Sequence, residues 1–295
     1  PELLDWLASD FITHGYDLKH LIRLITTSDA YQREPGTENL VALAAGERFF
    51  AAPARRRLSA EQVVDSLHTA TGRAIDSEEL TFVHDGRHPL GRRQSFGIPR
   101  RSWMFASLNN ERDRPSLALP HAQTAVDVLE AFGWNGSRQM PIFDRVTDPN
   151  VLQPGVLANG LLVQNLSRCA DGSTLAELAV SAKTPDALLE TVFLRFLSRK
   201  PLPAERDAFL PSLRDGFDQR LVPANQRISP TEPEPLPLVT WLNHVSPEAN
   251  TIQLEVEKRV QRGPNPDPRL QTAWREIYED LVWSLINDRE FVWVP

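Results

Sequence analysis

The chain has 295 residues, of which 41% are hydrophobic and 24% charged, and its formal net charge is -7. This composition is typical of a globular protein with a buried core, and the length suits one large domain or two small ones. The acidic balance argues against a nucleic-acid-binding surface, and no apolar run approaches the roughly 20 residues of a membrane span. A single cysteine, Cys169, excludes an internal disulfide, a CxxCH haem attachment and cysteine-rich metal sites, but it does not decide between cytoplasm and periplasm.

The chain opens with a helical pattern, PELLDWLASDFITHGYDLKHLIRLITTSDAYQR. Apolar residues recur at helical spacing over residues 2–12, which predicts a first helix. Gly15 is expected to end it, and Asp17 is expected to cap a second helix. We therefore expect two short helices joined by a tight connection.

A further helix is strongly marked in LSAEQVVDSLHTATG. Ser59 and Gln62 are spaced as a capping box, in which each side chain bonds to the backbone of the other residue. Gly72 lies where helices commonly end with a left-handed residue. The pattern therefore predicts a helix between Ser59 and Gly72.

Helical patterns return in the second half of the chain. HAQTAVDVLEAFG is predicted as a helix, and a single helix is predicted over residues 151–167. In STLAELAVSA we interpret Thr174 and Glu177 as a capping box. In TPDALLETVFLRFLSRK we interpret Thr184 as the N-cap, followed by Pro185 at the first helical position.

A proline-rich stretch divides the chain into predicted domains. Residues 222–237, VPANQRISPTEPEPLP, have the composition of an extended linker. After it, RLQTAWREIYEDLVWSLINDREF carries a helical apolar stripe that includes Trp274, so the final helix should bury its aromatic face on the main domain. We predict a helical domain over residues 1–221, a linker, and a C-terminal segment over residues 238–295.

Residues 80–108 interrupt the helical pattern. LTFV and RSWMFASL favour short strands or extended segments, and HDGRHPLGRRQSFGIPRR between them is rich in Gly, Pro and Arg. We interpret this region as a surface excursion with a local positive patch. The predicted fold class is therefore mainly α: an irregular multi-helix domain with a small extended or β excursion near residues 80–108.

Six stretches, in a fixed order, carry a family resemblance: LLDWLASDFITHGYDLKHLIRLITTSDAYQR, RRRLSAEQVVDSL, PRRSWM, DRVTDPNVLQPGVLANGLLVQNLS, VFLRFLSRKPLPAE and WREIYEDLVWSLINDREFVWV. This order resembles the C-terminal planctomycete domain of unknown function found in large exported proteins, often with an upstream planctomycete-type cytochrome c domain. The stretch TWLNHVSPEANTIQLEVEKRV is similar to a subgroup with an insert before the last helix. The resemblance covers nearly the whole chain and implies no established activity.

The resemblance also implies a context for the chain. In similar proteins the LLDWLA helix lies in the interior of a longer polypeptide, so we expect upstream domains of the same polypeptide as partners. A periplasmic or cell-surface location is implied in the same way. Any haem would belong to an upstream cytochrome domain, and no cofactor is expected in this chain.

A dense arginine cluster is the leading candidate for a binding site in this acidic chain. Guanidinium groups suit carboxylate, sulfate and phosphate groups, which they bind through two parallel hydrogen bonds. We therefore predict docking of an anionic polysaccharide or of an acidic partner surface; the alternative is that the arginines pair with carboxylates of the fold. The predicted ligand-binding arginines are Arg87, Arg92, Arg93, Arg100 and Arg101, which Arg55, Arg56 and Arg57 could join.

One tryptophan is added to this predicted binding set. Exposed tryptophans stack on sugar rings, whereas buried ones fill cores. Trp134 lies in the Gly-flanked stretch FGWNGSRQ and is therefore a candidate ligand-binding residue. Trp274 is expected in the core because it lies on the apolar stripe of the last helix.

The histidines give no clear metal site in the sequence. HDGRH contains His84, Asp85 and His88, which are ligand types for transition metals, but Gly86 and Pro89 argue against a helix that would align them. We predict a polar surface turn there and no metal site. The histidines without a visible partner are interpreted as capping or interface residues: His14, His20, His68, His121 and His244.

Three functions are consistent with these patterns. The leading hypothesis is an interaction or substrate-docking module for an anionic polymer or a partner domain. The second hypothesis is that the chain forms part of a periplasmic haem-linked oxidoreductase or polysaccharide-modifying enzyme. In such an enzyme Glu111 with Asp113 or Asp144 would form an acid–base pair. A third is a structural helical scaffold that stabilises the preceding domain. No GxSxG elbow, GxGxxG loop or Walker loop supports another enzyme class.

Overall fold

The computed structural model describes residues 2–33, 56–78, 80–81, 95–105, 115–134, 148–228, 234–239 and 243–294. The described residues are mainly helical, which confirms the predicted fold class. They belong to two compact units, one of residues 1–57 with 293–295 and one of residues 58–292. None of the helices in the described ranges is long and apolar enough to cross a membrane. The predicted linker at residues 222–237 stays a prediction.

The first unit contains the predicted pair of helices. Helix α1 (Glu2–Thr13) contacts α2 (Leu18–Thr26), and strand β1 (Arg56–Arg57) pairs antiparallel with a strand at the end of the chain. The connection turns through two left-handed residues, Gly15 and Tyr16. Asp17 is the N-cap of α2, as predicted, and its side chain accepts hydrogen bonds from the backbone of the next turn.

The second unit holds the remaining elements, which occur in the following order. They are α3 (Ala60–Thr71), β2 (Leu80–Thr81), β3 (Ser95–Gly97), α4 (Pro120–Ala131), α5 (Leu152–Asn159), α6 (Leu161–Ser167), α7 (Thr174–Ser181), α8 (Pro185–Leu197), α9 (Pro203–Arg214), α10 (Ala249–Arg262) and α11 (Thr272–Ile286). Strand β4 (Trp293–Val294), the partner of β1, follows and belongs to the first unit. Strands β2 and β3 pair antiparallel, and short 3-10 turns connect several elements.

The apolar stripes of these helices meet in one core. Helix α11 packs on α6, α8 and α9, and α3 packs on α4 and α6. Trp274 is 3% exposed, as its position on the stripe predicts, and its indole Nε1 donates to the carbonyl oxygen of Leu213 at 3.0 Å. Tyr278 stacks on Trp274 with ring centroids 5.6 Å apart. The last helix therefore supplies the aromatic centre of the core.

The predicted N-caps are confirmed at α3 and α8, as at α2, and one is wrong at α7. The Ser59–Gln62 capping box at α3 is present, and Thr184 caps α8. The N-cap of α7, however, is Ser173, whose hydroxyl accepts from the backbone N–H of Ala176 at 3.2 Å. Helix α7 does begin at Thr174, but the predicted capping box of Thr174 and Glu177 is wrong, because the backbone N–H of Glu177 already donates to the carbonyl oxygen of Ser173 at 3.0 Å.

Two other local predictions need correction. The single helix predicted over residues 151–167 is two helices, α5 and α6, because Gly160 between them has extended dihedral angles, φ -71° and ψ 141°. In RSWMFASL, residues Ser102–Met104 form a 3-10 turn instead of a strand. Strand structure is present in this region at β2 and β3.

Candidate functional site

Two cavities that share lining residues form a cleft in the second unit. The larger, of about 510 Å³, is lined by residues of α3, α4, α6 and α10 and by the loops around residues 73–76 and 263–265. The smaller, of about 230 Å³, lies at the end of α3. Both are lined by His68, Arg73 and Ala74. We call the two together the cationic cleft, and the larger cavity has the volume of ordinary small-molecule sites.

Arg73 lies where the two cavities meet, and its position is set by the end of α3. Gly72 takes the left-handed conformation predicted for it, with φ 70°, and the next N–H, that of Arg73, donates to the carbonyl oxygen of His68 at 3.1 Å. The Arg73 side chain then reaches α6, where Nη1 donates to the carbonyl oxygen of Asn165 at 2.6 Å. Burial lowers the pKa of the Arg73 guanidinium, because removal of water disfavours the charged form.

His68 lies beside Arg73 and also lines both cavities. Its Nδ1 is 3.0 Å from the carbonyl oxygen of Arg73, while its Nε2 is buried and has no hydrogen-bond partner among the described residues. Burial, with the Arg73 charge as a smaller cause, lowers the pKa of His68. The neutral imidazole is therefore favoured, and its buried Nε2 keeps an unused hydrogen-bonding position.

The opposite wall of the cleft is fixed by contacts between α6 and α10. Asn165 donates from Nδ2 to the carbonyl oxygen of Val260 at 3.0 Å. Arg259 donates from Nη1 to the carbonyl oxygen of Glu234 at 2.8 Å. Arg259 and Arg262 both line the larger cavity, so α10 adds two arginines to this wall, of which Arg259 also lies 3.7 Å from Glu255 Oε1 of the same helix.

Arg100 and Arg101 line the smaller cavity, and hydrogen bonds to α3 hold the turn that follows them. The backbone N–H of Ser102 donates to Asp65 Oδ1 at 3.0 Å, and the Ser102 hydroxyl donates to the carbonyl oxygen of Glu61 at 2.7 Å. Both arginines are exposed. Anchoring of Ser102 thus brings two predicted binding residues to a fixed place at the cleft.

The described lining of the cleft is strongly positive. It contains five arginines and two aspartates; these residues are Arg73, Arg100, Arg101, Arg259, Arg262, Asp65 and Asp76. Asp65 is already an acceptor for the backbone of Ser102. In a chain with a net charge of -7, this is a local reversal of sign, and such a cleft attracts anions.

The predicted binding residues have different outcomes. Arg100 and Arg101 lie at the cleft, whereas Arg87, Arg92 and Arg93 lie outside the described residues. Trp134 is 4% exposed and belongs to the core, so it has no open face on which a sugar could stack. The residues of HDGRH and the carboxylates Glu111, Asp113 and Asp144 also lie outside the described residues.

Three arginines of the cleft were not among the binding residues predicted from the sequence. Arg73 follows the end of α3, whereas Arg259 and Arg262 both belong to α10, so Arg73 is far from the other two in the sequence and no single charge run contains all three. A signal for Arg73 was present in the sequence, because it directly follows Gly72, which ends α3. The residue after such a glycine is the first whose side chain can point away from the helix. No comparable signal exists for the pair on α10, which only the packing of α10 brings to the cleft.

The comparisons with known proteins give a family and no activity. The PSD1 family, described as a protein of unknown function (DUF1553), matches residues 1–213. No curated protein and no solved structure matches the chain. The matched range covers more than two thirds of the chain and includes α1 to α8 and most of α9. The chain therefore belongs to the PSD1 (DUF1553) family, whose function is unknown.

Proposed function

We propose that this chain is a docking module of an exported bacterial multidomain protein, located in the periplasm or at the cell surface. In this proposal the cationic cleft binds anionic groups of a polysaccharide or of a partner domain. The observation that carries the proposal is the convergence of five arginines on two joined cavities of an acidic chain. The location and the upstream partners rest on the family resemblance.

The electrostatics of Arg73 support an anionic ligand. Its burial costs free energy, as the lowered pKa indicates, and the negative charge of Asp76 counteracts this effect in part. A carboxylate, sulfate or phosphate in the cleft would offset that cost through charge-assisted hydrogen bonds. Arg100 and Arg101 are more exposed and would add electrostatic attraction for the ligand. Their contribution to the affinity should decrease as the salt concentration rises, because salt screens exposed charges.

The experiment that tests the proposal is charge reversal at the smaller cavity. The variant Arg100→Glu with Arg101→Glu is compared with wild type for binding to dextran sulfate, alginate and polyglutamate at low and moderate salt. We expect affinity to fall about tenfold or more, because each arginine contributes a charge-assisted contact. The double variant Arg227→Glu with Arg289→Glu, which has the same charge change at exposed positions outside the cleft, is the control.

Two results would contradict the proposal. One is equal binding of the cleft variant and wild type to every polymer; the other is an equal loss in the control, which would show a general charge effect. Reversal at Arg92 and Arg93 is a separate arm that tests the predicted arginine-rich segment. A loss there, with binding intact in the cleft variant, would move the site to residues 87–93.

A second candidate, the helical scaffold, is favoured by one observation. Helices α1 and α2 expose an unusual number of large apolar side chains, an arrangement that marks interaction surfaces. These are Leu3, Leu4, Trp6, Ile12, Leu18, Ile22 and Ile25. The substitutions Leu4→Glu and Ile22→Glu should abolish binding of the upstream domains without changing anion binding. Unchanged association with those domains would refute the scaffold role.

The enzyme hypothesis stays a prediction. A haem-linked oxidoreductase or polysaccharide-modifying role follows from the resemblance and from Glu111, Asp113 and Asp144. It would be favoured by turnover of an acidic polysaccharide that is lost in Glu111→Gln.

A further inference from the structure

The helix pair of the first unit brings together a second polar group, which has no residue in common with the cationic cleft. His20 Nε2 lies 2.9 Å from Asp10 Oδ2, and His14 Nδ1 lies 3.3 Å from Asp10 Oδ1. The two imidazole rings stack with centroids 3.8 Å apart. Each oxygen of one carboxylate therefore faces a different imidazole.

The backbone fixes this arrangement. Asp10 and His14 are one helical turn apart at the end of α1, and the turn through Gly15 and Tyr16 returns the chain beside it. Asp17 then accepts from the backbone N–H groups of Lys19 and His20, at 2.8 and 3.2 Å, which fixes the first turn of α2. The three side chains meet because the turn is short and left-handed.

The distances within the group fit those around a bound metal. With metal–ligand bonds of about 2.0 to 2.1 Å, two ligand atoms lie roughly 2.9 Å apart at a right angle and roughly 3.3 Å apart at a tetrahedral angle. The two contacts to Asp10 have these lengths; they involve different oxygens of the carboxylate, and the contact to His20 is also an ordinary hydrogen bond. One ligand atom from each of the three residues lies within 4.8 Å of the others. The two rings are stacked with their planes 16° apart, so at least one ring would have to turn for both nitrogen lone pairs to point at one cation.

The ligand types identify the kind of metal. Two imidazole nitrogens with one carboxylate oxygen suit zinc and neighbouring transition metals, whereas calcium and magnesium require more oxygen ligands. Three protein ligands would leave at least one position for water or an external group. None of the residues of α1 and α2 is buried, so a metal bound by both helices would add a link to their surface contacts.

We infer that Asp10, His14 and His20 bind a divalent transition metal, with Zn²⁺ as the preferred ion, and that the metal joins α1 to α2. The inference replaces the expectation from sequence that the chain has no metal site. His14 Nδ1 is also 2.9 Å from the carbonyl oxygen of Asp10, so metal binding would require that contact to be exchanged. Acid should weaken binding, because protonated imidazole cannot coordinate a metal.

The test is titration of the chelator-treated full chain with zinc chloride by calorimetry near neutral pH. We expect one saturable site per chain. The variants His20→Gln and Asp10→Asn should each weaken binding at least about tenfold. Asp5→Asn, which removes an exposed carboxylate of the same helix, and His244→Gln, which removes a histidine outside the group, are matched controls and should bind like wild type.

Two further measurements do not depend on whether a variant folds. In wild type, Zn²⁺ should shift the imidazole ¹⁵N resonances of His14 and His20 and leave those of the other histidines in place. Co²⁺ at the same site should give visible d–d absorption that Zn²⁺ displaces. Absence of saturable binding, retention of affinity in both ligand variants, or shifts confined to other histidines would each overturn the inference.

Discussion

Gly72→Ala is the substitution whose effect the structure defines most sharply. Gly72 has φ 70°, a conformation that is unfavourable for residues with a side chain. An added Cβ would also come closer than 3.0 Å to two side-chain atoms of Thr174. Thr174 is branched at Cβ and belongs to the first turn of α7, so it cannot move away at low cost.

The expected loss of stability is the sum of these effects. The left-handed conformation costs about 1 to 2 kcal/mol for a non-glycine residue. The close contact with Thr174 adds about 1 to 3 kcal/mol to this loss. Alanine also reduces the conformational freedom of the unfolded chain, which stabilises the folded state by less than about 1 kcal/mol. The free energy of unfolding should therefore fall by about 1 to 5 kcal/mol. Because Arg73 follows directly, affinity at the cationic cleft should fall as well.

Urea unfolding followed by circular dichroism measures this loss, and Gly172→Ala is the matched control. Gly172 has φ 66°, but an added Cβ there would have no neighbour within 4 Å. The control should lose only the conformational term, about 1 to 2 kcal/mol. If the two variants were equally stable, the contact with Thr174 would have no energetic role, and the reasoning would be refuted.

Two further predictions concern the core. In Tyr278→Phe the free energy of unfolding should stay the same or rise by about 1 kcal/mol, because the buried hydroxyl has no hydrogen-bond partner in the described structure. Urea unfolding measures this change. A decrease of more than about 1 kcal/mol would show that the hydroxyl has a partner. Burial raises the pKa of Glu279 in the folded state, so the folded state binds this proton more tightly than the unfolded chain does. The resulting stabilisation is fully present below the unfolded-state pKa and is lost as the pH rises through the folded-state pKa. Glu279→Gln should remove this decline while it keeps an acceptor for the Cys169 N–H. The variant should therefore become more stable relative to wild type as the pH rises from acid to neutral. Stability curves of wild type and variant that run parallel over this pH range would contradict the prediction.

Local sequence patterns predicted most helix ends because the signals that end a helix act over a few residues. Ser59, Thr184 and Asp17 satisfy backbone donors within their own segments, so their roles can be read from spacing alone. The first turn of α4 shows the limit of such patterns. Its first N–H groups, those of His121 and Ala122, are accepted by the distant Glu78, at 3.0 and 2.9 Å. No short motif encodes a cap that comes from another part of the chain.

The sequence by itself determined the helical class, the family and the presence of Arg100 and Arg101 in a positively charged region. These properties depend on periodicity, motif order and local charge, all of which are linear. Only the tertiary structure decided that Trp134 is buried, that Arg73 and the arginines of α10 complete a cleft, and that Asp10, His14 and His20 meet. The physical reason is that burial and ligand geometry depend on which helix faces meet, and packing between segments decides that.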